Sequence, residues 1–120
     1  MKIAVTSNGN DLSAQVDPRF GRCDHFIVID TDTMAFDVLD NRQSLDLPQG
    51  AGIQAGKSIA NAKVDVLITG NCGPKAFTVL ERAGIKIVTG ASGTITENIE
   101  NFKKGELQPA ASANVDGHWM

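Results

Sequence analysis

A seventeen-residue segment near the N-terminus limits the possible folds of this chain more than any other feature. Residues 7–23 separate two short apolar runs, residues 3–5 and 26–29, and contain Ser, Asn, Gly, Asp and Pro without a helical period. Parallel neighbours in a sheet need a crossover connection, which is usually a helix, whereas antiparallel neighbours do not. The first two strands are therefore expected to be antiparallel. Long connections without their own regular structure are often functional.

The rest of the chain alternates between strand-like and helix-like segments. A three-residue turn follows the second strand and predicts an antiparallel third strand around residues 34–39. Small and apolar residues at helical spacing then predict a helix over residues 50–63. Buried strands are expected at 64–69 and 85–88, and each is followed by a helix. The second helix begins at Pro74, and the third has a Thr94–Glu97 capping box.

This order, βββαβαβα, predicts a single α/β domain. The simplest arrangement is a five-stranded mixed sheet in the order 3-2-1-4-5, with strand 2 antiparallel to the others and helices on both faces. It is a ribonuclease H-like arrangement. The domain is expected over residues 1–107, and residues 108–120 are expected to form a flexible C-terminal tail.

Composition and charge restrict the location and the partners of the protein. A net charge of −3 argues against a general nucleic-acid surface, and no apolar run approaches the length of about 18 residues that a membrane span needs. The N-terminus lacks a signal-peptide apolar region. Two cysteines are too few for a disulfide scaffold. A cytoplasmic monomer or weak dimer is expected.

The predicted topology brings several loops to one edge of the sheet. Each of these loop segments directly follows a strand or directly precedes strand 2, and they are residues 7–9, 19–23, 70–73 and 90–93. They lie beside the switch point between strands 1 and 4, and ligands bind at such points in open α/β sheets. The two later turns precede helices, whose N-termini attract anions. Arg19 and Arg22 add two guanidinium groups that can donate several hydrogen bonds. An anion site is therefore predicted here.

The segments at this edge also resemble a known family. The stretches SNG (7–9), VDPRFGR (16–22), GAGIQAG (50–56), ITGNCGPKAF (68–77) and AGIK (83–86) together resemble the dinitrogenase iron–molybdenum cofactor family of NifX and NifB type, over about residues 1–107. The resemblance implies non-catalytic binding of a preformed metal–sulfide cluster. In the orange-protein subgroup of sulfate-reducing bacteria, which is the most similar, this is a molybdenum–copper sulfide. In the wider family it is the iron–molybdenum cofactor or an iron–sulfur precursor.

The candidate cofactor-binding residues come from these matched segments. They are Ser7, Asn8, Arg19, Phe20, Gly21, Arg22, Cys23, Gly70, Asn71, Cys72, Gly73, Pro74 and Gly90. Phe20 is expected to belong to the core or to roof the pocket. Many family members end in a Gly/Met/His-rich tail, but this chain ends in DGHWM, so no metal site with His118 or Trp119 is carried over.

Three roles are open for Cys23 and Cys72. They are candidate metal ligands because copper and molybdenum favour soft sulfur donors, but two thiolates cannot complete an iron–sulfur site alone. They can also line the pocket without bonding, or pack as small apolar residues. Nearby arginines and a helix N-terminus are expected to lower their pKa values.

Four classes of function are compatible with such a fold. The favoured one is a cluster carrier without turnover, with a cluster-donor or cluster-acceptor protein as a possible partner. A ribonuclease H-like nuclease or phosphotransferase needs metal-binding carboxylates on the first strand; residues 2–6 contain none, which argues strongly against this class. A small phosphate- or nucleotide-binding regulatory domain is the main alternative, although residues 70–75, GNCGPK, lack the P-loop pattern. A pure interaction module is the fourth.

Overall fold

The computed structural model describes residues 1–41 and 50–114. These residues form five strands and three helices. The strands are β1 (Lys2–Ser7), β2 (His25–Asp30), β3 (Phe36–Asp40), β4 (Val66–Ile68) and β5 (Lys86–Val88). The helices are α1 (Ala51–Asn61), α2 (Pro74–Arg82) and α3 (Ile95–Lys103). His118, Trp119 and the end of the expected tail lie outside the described residues.

The strands form one mixed sheet in the order β3-β2-β1-β4-β5. Strand β2 is antiparallel to β1 and β3, whereas β1, β4 and β5 are parallel. Val5 pairs with Ile27 on one side and with Ile68 on the other. The α/β class and the predicted strand order are confirmed. The finer ribonuclease H-like assignment stays a prediction.

Each face of the sheet has its own apolar core. Ala4 of β1 faces a cluster with α1 and α2, to which Ile59 and Leu80 contribute fully buried side chains. Ile3 and Val5 face the opposite cluster, which contains Ile95 and Ile99 of α3. The alternation of side chains along a strand separates the two sets. Helices therefore cover both faces, as predicted.

Several element boundaries differ from the sequence-based expectation. Strand β3 begins at Phe36 because Met34 has a φ of 62° and belongs to the preceding turn. Helix α1 ends at Asn61, and Lys63 has a left-handed φ of 57°. Strand β4 is limited to three residues. None of the described helices is long and apolar enough to cross a membrane.

Candidate functional site

The loop between β1 and β2 is fastened to the ends of the central strands. The Thr6 hydroxyl donates a hydrogen bond of 2.7 Å to the Asp17 carbonyl and lies 3.0 Å from the Thr69 hydroxyl. Both threonines are fully buried. Because Thr6 is in β1 and Thr69 follows β4, these contacts hold the loop across the crevice between the two strands.

The same loop is joined to the turn after β4. Arg19 and Asn71 form an isolated parallel bridge, in which the Phe20 N–H donates to the Asn71 carbonyl at 3.2 Å. The Asn71 N–H donates to the Pro18 carbonyl at 2.7 Å. A Cβ on Gly70 would lie 2.6 Å from the Pro18 Cα, so only glycine permits this approach. The loop and the turn therefore converge, as the topology predicts.

Phe20 anchors the arginine-bearing part of the loop. Its side chain has no exposed surface, and its ring centroid is 5.5 Å from that of Phe26 in β2. Phe20 therefore belongs to the core, which is one of the two positions expected for it. Its neighbours Arg19 and Arg22 are less buried, and the Arg19 side chain is 53% exposed. The buried ring thus fixes the point from which the two arginines extend.

Helix α1 also begins at this loop, a position that no motif in the sequence indicates. A Cβ placed on Gly21 would meet the Gly52 nitrogen at 2.8 Å and the Gly52 Cα at 2.9 Å. The backbone of the loop therefore touches the first turn of α1. The strand order explains this position, because β3 is parallel to β1 and a helix that follows β3 starts at the same edge.

The three helix N-termini at this edge differ in how they are capped. The N-cap residues of α1 and α2 are Gly50 and Gly73, which have no side chain to accept hydrogen bonds, and neither first turn contains an acidic residue. We call these the glycine-capped N-termini. Helix α3 instead has the complete capping box between Thr94 and Glu97. The Ile95 and Thr96 N–H groups also donate to the carbonyls of Ala14 and Leu12. Because the amides at this N-terminus already have acceptors, we restrict the predicted anion site to the glycine-capped N-termini.

The turn before α3 is still close to the site. The Gly90 N–H donates to the Gly70 carbonyl at 2.7 Å, and the Val16 N–H donates to the Gly93 carbonyl at 2.9 Å. Ser7 and Asn8 lie beside Val16, since Ser7 forms an isolated bridge with it. The Ser7 hydroxyl donates to the Gly9 carbonyl at 2.8 Å. Asn8, between these two residues, is exposed.

Among the described residues, this loop and the first turn of α2 contribute three cationic side chains, those of Arg19, Arg22 and Lys75. The loop also contains Asp17, whose buried carboxylate accepts from the Arg19 N–H at 2.9 Å and lies 3.7 Å from the Arg19 Nε. It closes the turn and orients Arg19. Arg22 is half-buried, and Lys75 is exposed in the first turn of α2. The surface therefore offers N–H donors and positive charge.

Both cysteines lie beneath this surface with no exposed area. The Cys23 thiol donates to the Phe20 carbonyl at 3.3 Å, and Asn41 donates to the Cys23 carbonyl at 2.9 Å. Burial, with a smaller contribution from the Asp17 charge, raises the pKa of Cys23 far above its usual range. Burial alone raises the pKa of Cys72 to about 12. The expected lowering of the thiol pKa values is therefore wrong, because desolvation of the thiolate dominates.

The predicted site residues form two layers at the edge of the sheet. Those that are exposed or half-buried are Asn8, Arg19, Arg22, Asn71, Pro74 and Gly90. Those that are buried beneath them are Ser7, Phe20, Gly21, Cys23, Gly70, Cys72 and Gly73. Within residues 1–41 and 50–114 there is no group of three His, Cys, Asp or Glu side chains that could hold a metal ion.

Comparison with known proteins agrees with this architecture. The sequence model of the family described as "Dinitrogenase iron-molybdenum cofactor" matches residues 1–105. The chain belongs to this family. It is 32% identical over 111 residues to the uncharacterized protein MJ0580 of Methanocaldococcus jannaschii, which covers 90% of each chain. The resemblance that the sequence motifs indicated is confirmed.

Two solved structures are similar to this family member in both sequence and fold. The apo form of the orange protein from Desulfovibrio gigas is 43% identical, with a TM-score of 0.93, over 95% of this chain and 96% of that one. A putative NifB protein from Thermotoga is 33% identical, with a TM-score of 0.82, over 97% and 98% of the two chains. The fold of this dinitrogenase iron–molybdenum cofactor family member is therefore shared over nearly its whole length.

A further site contact of this family member was not predicted from the sequence. Asn114 lies within the expected tail, yet its side-chain oxygen accepts from the Cys72 N–H at 2.8 Å. No local motif marks it, because its partner is 42 residues away in sequence. Only the folded chain brings it to the turn after β4.

Proposed function

We propose that this protein binds and carries a preformed anionic metal–sulfide cluster, and that it does not catalyse a reaction on it. The observation that carries the proposal is the position of the two glycine-capped N-termini beside the loop with Arg19 and Arg22. Each helix N-terminus carries a partial positive charge of about half an elementary charge, together with N–H groups that lack helical acceptors. Sulfide ligands of an anionic cluster can accept from such donors.

The chemistry of the site favours a cluster that already has its own ligands. Guanidinium and backbone N–H groups bind anions, whereas bare copper or molybdenum ions need sulfur or nitrogen donors. The two thiols are buried and protonated, so we place them beneath the cluster as lining groups. The candidate residues of the outer layer, with Arg19 and Arg22 foremost, would contact the sulfides.

A molybdenum–copper sulfide is the cargo that we favour. This choice rests on the 43% identity to the orange protein, while the family description keeps the iron–molybdenum cofactor as the alternative cargo. A carrier of this kind would act in the cytoplasm and would receive the cluster from a donor protein and pass it to an acceptor. Neither role requires nucleic acid or a membrane.

The test is cluster retention after the two arginines are removed. The protein is incubated with tetrathiomolybdate and copper(I) without oxygen and passed through a desalting column, and bound molybdenum, copper and sulfide are measured with the visible spectrum. We expect the original chain to retain a coloured cluster with a fixed ratio of metals. Arg19→Ala with Arg22→Ala should weaken retention by at least about tenfold, because charged hydrogen bonds contribute about 1.5–3 kcal/mol each.

A charge-matched control separates a local effect from a change in net charge. Lys86 begins β5 and Lys104 follows α3, so both lie at the opposite edge of the sheet. Lys86→Ala with Lys104→Ala should retain the cluster as the original chain does. Equal retention by the two double variants would contradict the proposal. A colourless protein that binds inorganic phosphate at the arginines would instead favour the phosphate- or nucleotide-binding alternative.

A further inference from the structure

A short segment near the C-terminus runs beside β5, the outermost strand of the sheet, and reaches the site. The Ala110 N–H donates to the Ile87 carbonyl of β5 at 2.7 Å. Ala110 and Ala113 pack against the core cluster that contains α1 and α2. The Asn114 N–H then contacts the Cys72 carbonyl at 3.3 Å. We call residues 110–114 the strap.

The Asn114 side chain fastens the strap to the turn after β4. Its oxygen accepts from the Cys72 N–H at 2.8 Å. Its amide nitrogen lies 3.1 Å from the Gly70 carbonyl and 3.2 Å from the Asn71 side-chain oxygen, and it can donate to both. Cys72 directly precedes the N-cap residue of α2. An amide of the chain itself therefore occupies a backbone donor that an anion at this N-terminus would use.

The strap is also attached more weakly than the elements around it. Three of its five residues are exposed, and Ala110 and Ala113 are only half-buried. Segments with little buried apolar surface open locally at a small free-energy cost compared with global unfolding. The strap can therefore leave the turn while the two cores stay folded.

We propose that the strap is a latch that competes with the ligand for the turn after β4. When it is closed, Asn114 holds the Cys72 N–H, and the fully buried Cys72 side chain belongs to the core cluster against which Ala110 and Ala113 pack. When it is open, that N–H faces the ligand surface and the thiol becomes accessible. The identity of the competing ligand rests on the proposed function, whereas the opening of the strap does not.

The first test measures opening without any metal cluster. The full-length chain and its Asn114→Ala variant react with iodoacetamide, and labelling of each cysteine is followed by mass spectrometry. Loss of the three side-chain hydrogen bonds of Asn114 should speed labelling of Cys72 by at least about tenfold. Cys23 is fully buried in the core and serves as the internal reference for unfolding.

A control variant changes the neighbouring chain without touching the turn. The Gln108 side chain donates to the Gly105 carbonyl at 2.9 Å, so Gln108→Ala should leave Cys72 labelling unchanged. Unchanged labelling of Cys72 in Asn114→Ala would overturn the latch. An equal rise in Cys23 labelling would also overturn it, because general loosening would then explain the result.

The second test measures competition by titration with tetrathiomolybdate and copper(I). Asn114→Ala should bind more tightly than the original chain, by about three- to tenfold if one or two hydrogen bonds no longer oppose binding. Equal or weaker binding would overturn the competition. Faster Cys72 labelling with no binding by the original chain would contradict the cargo assignment and support the strap.

Discussion

Replacement of Gly21 by alanine tests whether contact between the loop and α1 shapes the site. The new Cβ would lie 2.8 Å from the Gly52 nitrogen, 2.9 Å from the Gly52 Cα and 3.1 Å from the Ala51 carbonyl carbon. All three neighbours are backbone atoms, so no side-chain rotation can relieve the overlap. The loop and the first turn of α1 must therefore separate.

The cost of this separation can be estimated. Overpacking of a well-packed site costs about 1–3 kcal/mol, while the reduced freedom of the unfolded chain returns about 0.4–1 kcal/mol. The net destabilisation should be about 1–2 kcal/mol. For a chain of 120 residues this corresponds to a fall in Tm of roughly 4–8 °C. Cluster retention should fall as well, because one glycine-capped N-terminus moves away from the arginines.

A stability-matched control separates the two effects. Gly105 has a φ of 77° and no atom within 4 Å of an added Cβ, so its replacement by alanine costs about 1–2 kcal/mol through the backbone alone. Thermal unfolding and cluster retention are measured for both variants. Gly105→Ala should lose stability but keep the cluster. If Gly21→Ala retains the cluster equally well, the contact between the loop and α1 does not shape the site.

Two further predictions concern the Cys72 thiol and the N-terminus of α3. Burial holds the pKa of Cys72 at about 12 against 9.0 for an ordinary thiol, so the unfolded chain loses this proton first and stability falls as pH rises from about 9 to 12. Urea unfolding of Cys72→Ala should show a shallower fall, by at most about 1.4 kcal/mol per pH unit, and an unchanged slope would contradict the raised pKa. Thr94→Ala should cost about 1 kcal/mol of stability by removing the cap, yet cluster retention should not change. Weaker retention in that variant would show that the N-terminus of α3 belongs to the site.

The strand order could be predicted because connection lengths leave few alternatives. The loop of residues 7–23 and the turn after Asp30 require antiparallel neighbours, while the later helices require parallel ones. Convergence of Arg19 and Asn71 at one edge follows from that order. The start of α1 at the same edge also follows from that order. The small residues of α1 indicate only packing against the sheet, so they do not predict that its N-terminus belongs to the site.

Other features depend on burial and long-range contacts that a sequence pattern does not contain. The raised pKa values of Cys23 and Cys72 follow from the depth of both thiols, which no nearby sequence motif indicates. The contact of Asn114 with Cys72 joins distant segments through a single side chain. By contrast, the Thr94–Glu97 capping box is a local motif, and its prediction is confirmed.

The burial of Phe20 affects how quickly a ligand could be captured and released. The fully enclosed aromatic ring between Arg19 and Arg22 prevents this segment from swinging outward, so its conformation is set when the protein folds. Little additional ordering entropy is then lost on encounter, which removes one of the usual costs of association. Departure likewise requires no rearrangement of this segment, and transfer to a second molecule can be governed by the relative charge of the two surfaces.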